Sequence, residues 1–487
     1  MAKEVSPGVK ALRKVVEDVY ADARVAKKEG KLVGWSSSKF PCELAAAFDL
    51  NVMYPENQAA GIAANRDGEI MCQAAEDLGF DNDICGYARI SLAYAAGKRA
   101  SRKFDPDTLE FVINPNSGKP LKDENGKVVI DPETGKPKKD PKTMQPYTVL
   151  DDIYEIEALP ETTEKEIAYK NFRREAIKPY RQMRMPQPDF VLCCNNICNC
   201  MTKWYENIAR MCDIPLIMID IPYNNTVEVD DTYVAYIRGQ FDNAIHDLEK
   251  LTGKKFDEKK FDEACANANR TAKAWLKVCD YLQYKPAPYS GFDLFNHMAD
   301  VVTARGRVEA AEAFEQLSRD LDEAIKEGKS TTPFPEQYRV MFEGIPCWPK
   351  LPSLFKPLKE HGVNVTAVVY APAFGFVYNN MDEMVRAYCK APNSVCIEQG
   401  VDWREGICRD NKVDGVLVHY NRSCKPWSGY MAEMQRRFTK DLGVPCAGFD
   451  GDQADPRNFN EAQYETRVQG LVEAMEANKA AKEAAEK

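Results

Sequence analysis

Pro188-Asp189-Phe190-Val191-Leu192-Cys193-Cys194-Asn195-Asn196-Ile197-Cys198-Asn199-Cys200 is the stretch on which the fold turns. Phe190-Val191-Leu192 is a short apolar run, led in by Pro-Asp, and suits a buried strand. From Met201 to Met211, the residues Trp204, Ile208 and Met211 recur at helical spacing. Pro215-Leu216-Ile217-Met218-Ile219-Asp220 then reads as a second buried strand. The result is a strand–loop–helix–strand unit with a cysteine-rich loop at the carboxyl end of its first strand.

The unit recurs near the other end of the chain. Gly415-Val416-Leu417-Val418-His419-Tyr420 is the strand, 421–429 the loop, 430–442 the helix and 444–450 the next strand. Two more units open the two halves. Lys31 to Trp35 runs through Ser36-Ser37-Ser38 into a helix near 41–48 and a strand at 51–54. Val340 to Gly344 runs through Ile345-Pro346 into a helix near 351–361 and a strand at 363–370. Strands alternating with helices at this spacing predict an α/β protein with two doubly wound, Rossmann-like or flavodoxin-like domains of parallel strands. We place them at 25–225 and 335–460, joined by a mainly helical section over 226–334. A helix over 1–24 precedes them, and a helix and tail over 461–487 come after. Residues 103–147 depart from this plan. Val112-Ile113-Asn114-Pro115 is echoed by Val129-Ile130-Asp131-Pro132, and the density of Pro, Gly and Lys predicts a solvated hairpin inserted into the first domain.

A chain of 487 residues exceeds the size of one hydrophobic core, and 44% hydrophobic residues suffice for several. A net charge of −10 argues against a nucleic-acid partner, which would call for a basic stripe. Met1-Ala2-Lys3-Glu4 opens no apolar segment of signal-peptide type, and Val363–Tyr378 is broken by Pro372. We therefore expect a cytoplasmic protein without a membrane span. In that setting sixteen cysteines point to free, metal-bound or redox-active thiols rather than a disulfide framework. Gly328-Lys329-Ser330-Thr331 imitates a phosphate loop, but Glu323 stands where the loop needs glycine, and no GxGxxG comes after a strand. Any ATP or NAD the function consumes should be bound by another polypeptide.

Ligands of doubly wound sheets bind beyond the carboxyl ends of the strands, where the Ser36–Ser38, Cys198 and Cys424 loops fall. The spacings within Cys193–Cys200 match neither zinc-ribbon CxxC pairs nor the plant-type ferredoxin run. One ligand from each of several loops suits a cleft site better. Cys212, Cys265, Cys279, Cys389 and Cys446 fall on helix or strand patterns and read as packed thiols. His246, His297 and His361 are scattered, whereas His419 ends the strand before Cys424 and is either a site contact or a core residue. Ser36–Ser38 either cap the helix near Pro41 or hold an oxygen of a ligand. Glu56, after the second strand, is either an exposed loop carboxylate or a proton carrier in the cleft.

Five ordered segments resemble the 2-hydroxyacyl-CoA dehydratase family, which is related to the benzoyl-CoA reductases. They are Gly34-Trp35-Ser36-Ser37-Ser38-Lys39-Phe40-Pro41-Cys42-Glu43-Leu44, Ile84-Cys85-Gly86-Tyr87-Ala88-Arg89, Cys198-Asn199-Cys200-Met201-Thr202-Lys203-Trp204-Tyr205-Glu206, Ser423-Cys424-Lys425-Pro426-Trp427-Ser428 and Thr466-Arg467-Val468-Gln469-Gly470-Leu471. The resemblance covers nearly the whole chain outside 103–147. It implies a heterodimer with a homologous second subunit, each subunit holding a four-iron (4Fe-4S) cluster by three cysteines. In this chain these are Cys85, Cys198 and Cys424. Cys194 and Cys200 remain alternatives to Cys198, because the CNNICNC loop departs from the family form. Three thiolates leave one iron open for chemistry at the metal. The resemblance further implies a serine at Ser37 that contacts a 2-hydroxyacyl-CoA substrate, an acid at Glu56, and a separate ATP-dependent iron–sulfur activator. A flavin bound by the complex is also implied, though no motif for it is readable. The implied route is one-electron reduction of the thioester, whose carbonyl binds the open iron, to a ketyl radical that expels the α-hydroxyl. The alternative is an electron-relay or structural subunit whose partner holds the substrate.

Overall fold

In a computed structural model of the chain, residues 5–392 and 394–485 are described; residues 1–4 of the expected leading helix and 486–487 of the expected tail lie outside the described residues. The strands are β1 (Val33–Ser36), β2 (Asn51–Met53), β3 (Lys98–Arg102), β4 (Thr148–Asp152) and β5 (Phe190–Cys194), followed by β6 (Leu216–Ile219), β7 (Tyr338–Glu343), β8 (Val363–Val368), β9 (Gly415–Asn421) and β10 (Cys446–Gly451). Two four-stranded sheets form in the orders β2-β1-β5-β6 and β10-β9-β7-β8, with every pairing parallel. Numbered within each half, both orders read 2-1-3-4. The chain winds to one side of the first strand and then returns to its other side, so the direction reverses between β1 and β5 and again between β7 and β9. Those two reversal points are where doubly wound sheets bind ligands.

The local causes are legible. β1, β5 and β8 are buried along their whole length, because helices cover both faces of a parallel sheet. The helix Cys200–Cys212 buries Met201, Trp204, Tyr205, Ile208 and Ala209 on one face and ends at Asp213 in the left-handed region. Two expected helices are altered. The one near 41–48 shortens to Cys42–Ala46, and the one over 430–442 splits into Met431–Arg437 and a π-helical turn, Phe438–Leu442.

Between the sheets run four helices, Asp231–Thr252, Glu258–Asp280, Gly291–Thr303 and Val308–Lys326. The first helix, Pro7–Lys28, is capped by the Ser6 hydroxyl and packs on Val308–Lys326. A continuous core joins Leu12, Trp35 and Val191 to Trp275, Phe342, Leu417 and Val468, so the two sheets are tied by one apolar interior. β3 and β4 pair antiparallel at the root of 103–147, where Phe104 and Phe111 pack on Phe172. Among the described residues no helix is long and apolar enough to cross a membrane.

Candidate active site

The carboxyl ends of both sheets face a cavity of about 310 Å³. Cys85, Cys198, Cys424, Glu56 and Ser38 all line it. Ser37, Cys194 and Cys200 do not. Much of the remaining wall is aromatic: Tyr87, Trp204, Phe295, Trp348, Tyr370, Phe374 and Trp427.

Each of the three cysteines precedes or caps a helix. Cys85 is the N-cap of Gly86–Ala95, Cys198 stands two residues before Cys200–Cys212, and Cys424 is the N-cap of Lys425–Ser428. Their sulfurs share one local geometry, facing the backbone N–H three residues on: Ala88 for Cys85, Met201 for Cys198 and Trp427 for Cys424. Burial pushes the Cys85 and Cys198 thiols well above the usual thiol range and Cys424 up to about 12, and those N–H groups pull each back down. Charge adds to this: Cys200 and then Cys424 raise both Cys85 and Cys198, and Asp452 and Cys200 raise Cys424. Buried thiols that disfavour unscreened negative charge, with helix-start amides aimed at the sulfur, suit thiolates that bind a cation.

Among the described residues no group of three His, Cys, Asp or Glu side chains lies close enough for a single metal ion. A four-iron cluster takes thiolate donors spread around a cavity, and Cys85, Cys198 and Cys424 are three such donors brought to one cavity from separate loops. Of the rival thiols, Cys194 is buried against Asn196 Oδ1 at 3.3 Å, and the Cys200 sulfur faces the Cys85 backbone N–H from outside the cavity wall.

A hydrogen-bond network joins the cysteine loops of the two halves. Gly86 N–H donates to Ser423 Oγ at 2.9 Å, and the Ser423 hydroxyl donates to Asp452. Gln453 Nε2 donates to Ser423 Oγ at 3.2 Å and to the Cys85 sulfur at 3.3 Å. A methyl group at Gly86 would fall 2.6 Å from Asp452 Oδ1, so only glycine fits beside Cys85.

Glu56 is not an exposed loop residue. It lies in the first turn of the helix Pro55–Ala64 and is 8% exposed. Its Oε1 accepts from Ser38 N–H at 3.0 Å and from the Ser38 hydroxyl at 3.2 Å, and its Oε2 from the Tyr205 hydroxyl at 2.9 Å. Burial raises its carboxyl above the ordinary carboxylate range, against the pull of these donors. Ser37 is differently employed: its hydroxyl accepts Cys194 N–H at 2.9 Å, and its own N–H donates to Leu192 O at 2.8 Å. The serine at the cavity is thus Ser38.

His419 is a core residue. It is fully buried, its Nδ1 lies 2.6 Å from Ile345 O, its ring stacks on Phe449 at 4.6 Å, and burial lowers its pKa to about 4. The neutral ring therefore donates from Nδ1 to the Ile345 carbonyl.

Three features were not singled out from sequence: the Tyr205 hydroxyl on Glu56, the aromatic wall, and the helix face Glu56, Asn57, Ala60, Gly61, Ala64 and Asn65 along the cavity. That face carried a readable signal, since small residues recur there at helical spacing.

The family described as "2-hydroxyglutaryl-CoA dehydratase, D-component" matches residues 159–475. The alpha subunit of (R)-2-hydroxyglutaryl-CoA dehydratase of Acidaminococcus fermentans is 74% identical over 478 residues, covering 98% of this chain and 99% of the relative. The (R)-phenyllactyl-CoA dehydratase alpha subunit of Clostridium sporogenes is 44% identical, covering 96% of both chains. The lactoyl-CoA dehydratase alpha subunit of Anaerotignum propionicum is 34% identical, covering 95% of both.

Proposed function

The chain belongs to the 2-hydroxyglutaryl-CoA dehydratase D-component family, and on that premise we propose that it is the substrate-binding subunit of a cytoplasmic hydro-lyase that converts (R)-2-hydroxyglutaryl-CoA to (E)-glutaconyl-CoA and water. We assign it a homologous partner subunit, a separate ATP-dependent activator, and a step in anaerobic glutamate fermentation. The observation that carries this reading is one mainly apolar cavity onto which a buried carboxyl and three cysteines open together.

The chemistry explains why such a cavity is needed. The proton to be lost sits on the β-carbon, which the thioester does not acidify, and the hydroxyl leaves from the α-carbon beside a carbonyl. One added electron, giving a ketyl radical anion, reverses both difficulties: the hydroxyl is expelled, the resulting radical has a far more acidic β-proton, and once that proton is lost the electron leaves the product, so the dehydration is redox-neutral overall. A four-iron cluster held by Cys85, Cys198 and Cys424, with one iron free of cysteine, would supply that electron and Lewis acidity at the thioester.

The rest falls to the chain's own residues. Glu56, held protonated by burial, gives its proton to the departing hydroxyl and afterwards takes the β-proton, so water leaves and the carboxyl is restored. Oε2 is the oxygen suited to this transfer, because Oε1 already accepts twice from Ser38 while Oε2 accepts only from Tyr205. Ser37 fixes the turn that aims Ser38 at Glu56. The walls of Tyr87, Phe295, Trp348, Tyr370 and Trp427 exclude the water that would quench a radical. An electron-relay subunit would need neither the cavity nor the Ser38–Glu56 pair.

The test is anaerobic reconstitution with the partner subunit, activator and ATP, with products followed by mass spectrometry. Glutaconyl-CoA from (R)-2-hydroxyglutaryl-CoA is expected. Turnover of lactoyl-CoA or phenyllactyl-CoA with none of the glutaryl substrate would overturn the substrate assignment.

A further inference from the structure

Glu56 and Arg181 are the two charged side chains lining the cavity. Arg181 begins the short 3-10 helix Arg181–Arg184, which packs against the helix Pro55–Ala64. That packing is close. Gln58 Nε2 donates to Gln182 O at 2.9 Å, and a methyl group at Gly61 would fall 2.4 Å from Gln182 Cγ. Gly61 is therefore where Gln182, next to Arg181, seats against this helix. Arg181 Nε is buried and has no hydrogen-bond partner. The acid that feels Arg181 is Asp300, on Gly291–Thr303, whose carboxyl burial raises well above the usual range against the pull of Arg181. Arg181 is thus a cationic lining residue with an unsatisfied buried donor.

A carboxylate at the far end of a short acyl chain is the complement that a guanidinium with an unsatisfied donor selects, through a charge-assisted hydrogen bond.

We propose that Arg181 is a specificity-determining residue that binds the distal carboxylate of a dicarboxylic 2-hydroxyacyl-CoA while the reacting carbons lie beside Glu56. The inference rests on the substrate reading above and adds the group that enforces it. Ala60, Gly61 and Ala64 leave room for the methylenes between the two ends, and Asn57, Asn65 and Asn296 offer amide groups beside the carboxylate.

Binding of unreactive analogues separates this inference from the reading it rests on. Affinities of glutaryl-CoA and of pentanoyl-CoA, equal in length but uncharged at the far end, are measured by calorimetry on the whole complex. The wild-type complex is expected to favour glutaryl-CoA; if it does not, the substrate assignment itself fails. In Arg181→Gln the glutaryl-to-pentanoyl ratio is expected to fall about tenfold or more, and Arg181→Lys, which keeps the charge but not the fork, to retain part of the preference. A ratio unchanged in Arg181→Gln, or equal losses for both ligands, would overturn the role of Arg181 and leave the substrate assignment standing. A second measurement needs no variant: in the wild-type complex, glutaryl-CoA is expected to shield Arg181 from phenylglyoxal and pentanoyl-CoA is not. Equal shielding by the two would overturn the inference.

Discussion

At the exit of β1 the chain turns through Ser37 and is clamped to β5, Ser37 N–H donating to Leu192 O and Ser37 Oγ accepting Cys194 N–H. At the exit of β7 it turns through Gly344 and Ile345 and is clamped to β9, where His419 and Asn421 both donate to Ile345 O. Gly344 has φ +124°, and a side chain there would press on His419. The same joint between first and third strands is thus built from a hydroxyl in one half and from an imidazole and an amide in the other. Beyond the joint the two halves diverge. Ser38 points two donors at Glu56, whereas Cys347 is fully buried and Trp348 closes the cavity with an apolar face. The joint is scaffold and the next residue is chemistry, which is why Ser37 and His419 lie off the cavity while Ser38 lies on it.

Glu56→Gln strikes where the halves are most unequal, since the second half has no carboxyl at the cavity. A hundredfold to ten-thousandfold loss of turnover is expected, roughly the worth of one positioned acid–base group, with iron content unchanged. In the wild type turnover should fall on the alkaline side as Glu56 loses its proton, at a pH above the ordinary Glu range because burial raises Glu56, and that limb should vanish in the variant. Full turnover in Glu56→Gln would move the chemistry to the partner subunit.

The next effect tests the joint of the second half. His419 is neutral with a pKa of about 4, so the unfolded chain takes up its proton first as pH falls below about 6.5. Roughly 3 kcal/mol of stability is expected to disappear between pH 6.5 and pH 4 through this group. Thermal midpoints of His419→Gln should show a correspondingly shallower loss over that window. The smallest effects separate two adjacent serines. Ser37→Ala leaves the buried Cys194 N–H without its acceptor and should destabilise by about 1–2 kcal/mol. Ser38→Ala keeps the fold but removes one of the three hydrogen bonds that hold the Glu56 carboxyl, and about a tenfold loss in kcat is expected. The reverse pattern would make Ser37 the serine that handles substrate.

The two parallel sheets were readable because β5 and β9 are unbroken apolar runs flanked by turn residues, and because the unit around each repeats. Cys198 and Cys424 came with that repeat, each lying just past a third strand. Cys85 lies between the second and third strands of the first half and has no such counterpart, so only the resemblance of its segment to the dehydratase family singled it out. Ser38 and Arg181 were hidden for a physical reason. Which of three consecutive serines faces a cavity depends on a clamp to a strand about 150 residues away, and Arg181 lines a cavity assembled from segments far from it in the chain. The splitting of the helix over 430–442 was equally unreadable, since the π-helical turn changes hydrogen bonding without disturbing the apolar spacing.

We take Cys85, Cys198 and Cys424, each with its sulfur facing the backbone N–H three residues on, to be one ligand set drawn from both halves. Iron and sulfide counts on the anaerobically purified complex test this most directly, comparing Cys198→Ser with Cys194→Ser and Cys200→Ser. Loss of about four irons per complex in Cys198→Ser alone is the predicted result; full iron retention in Cys198→Ser would contradict it.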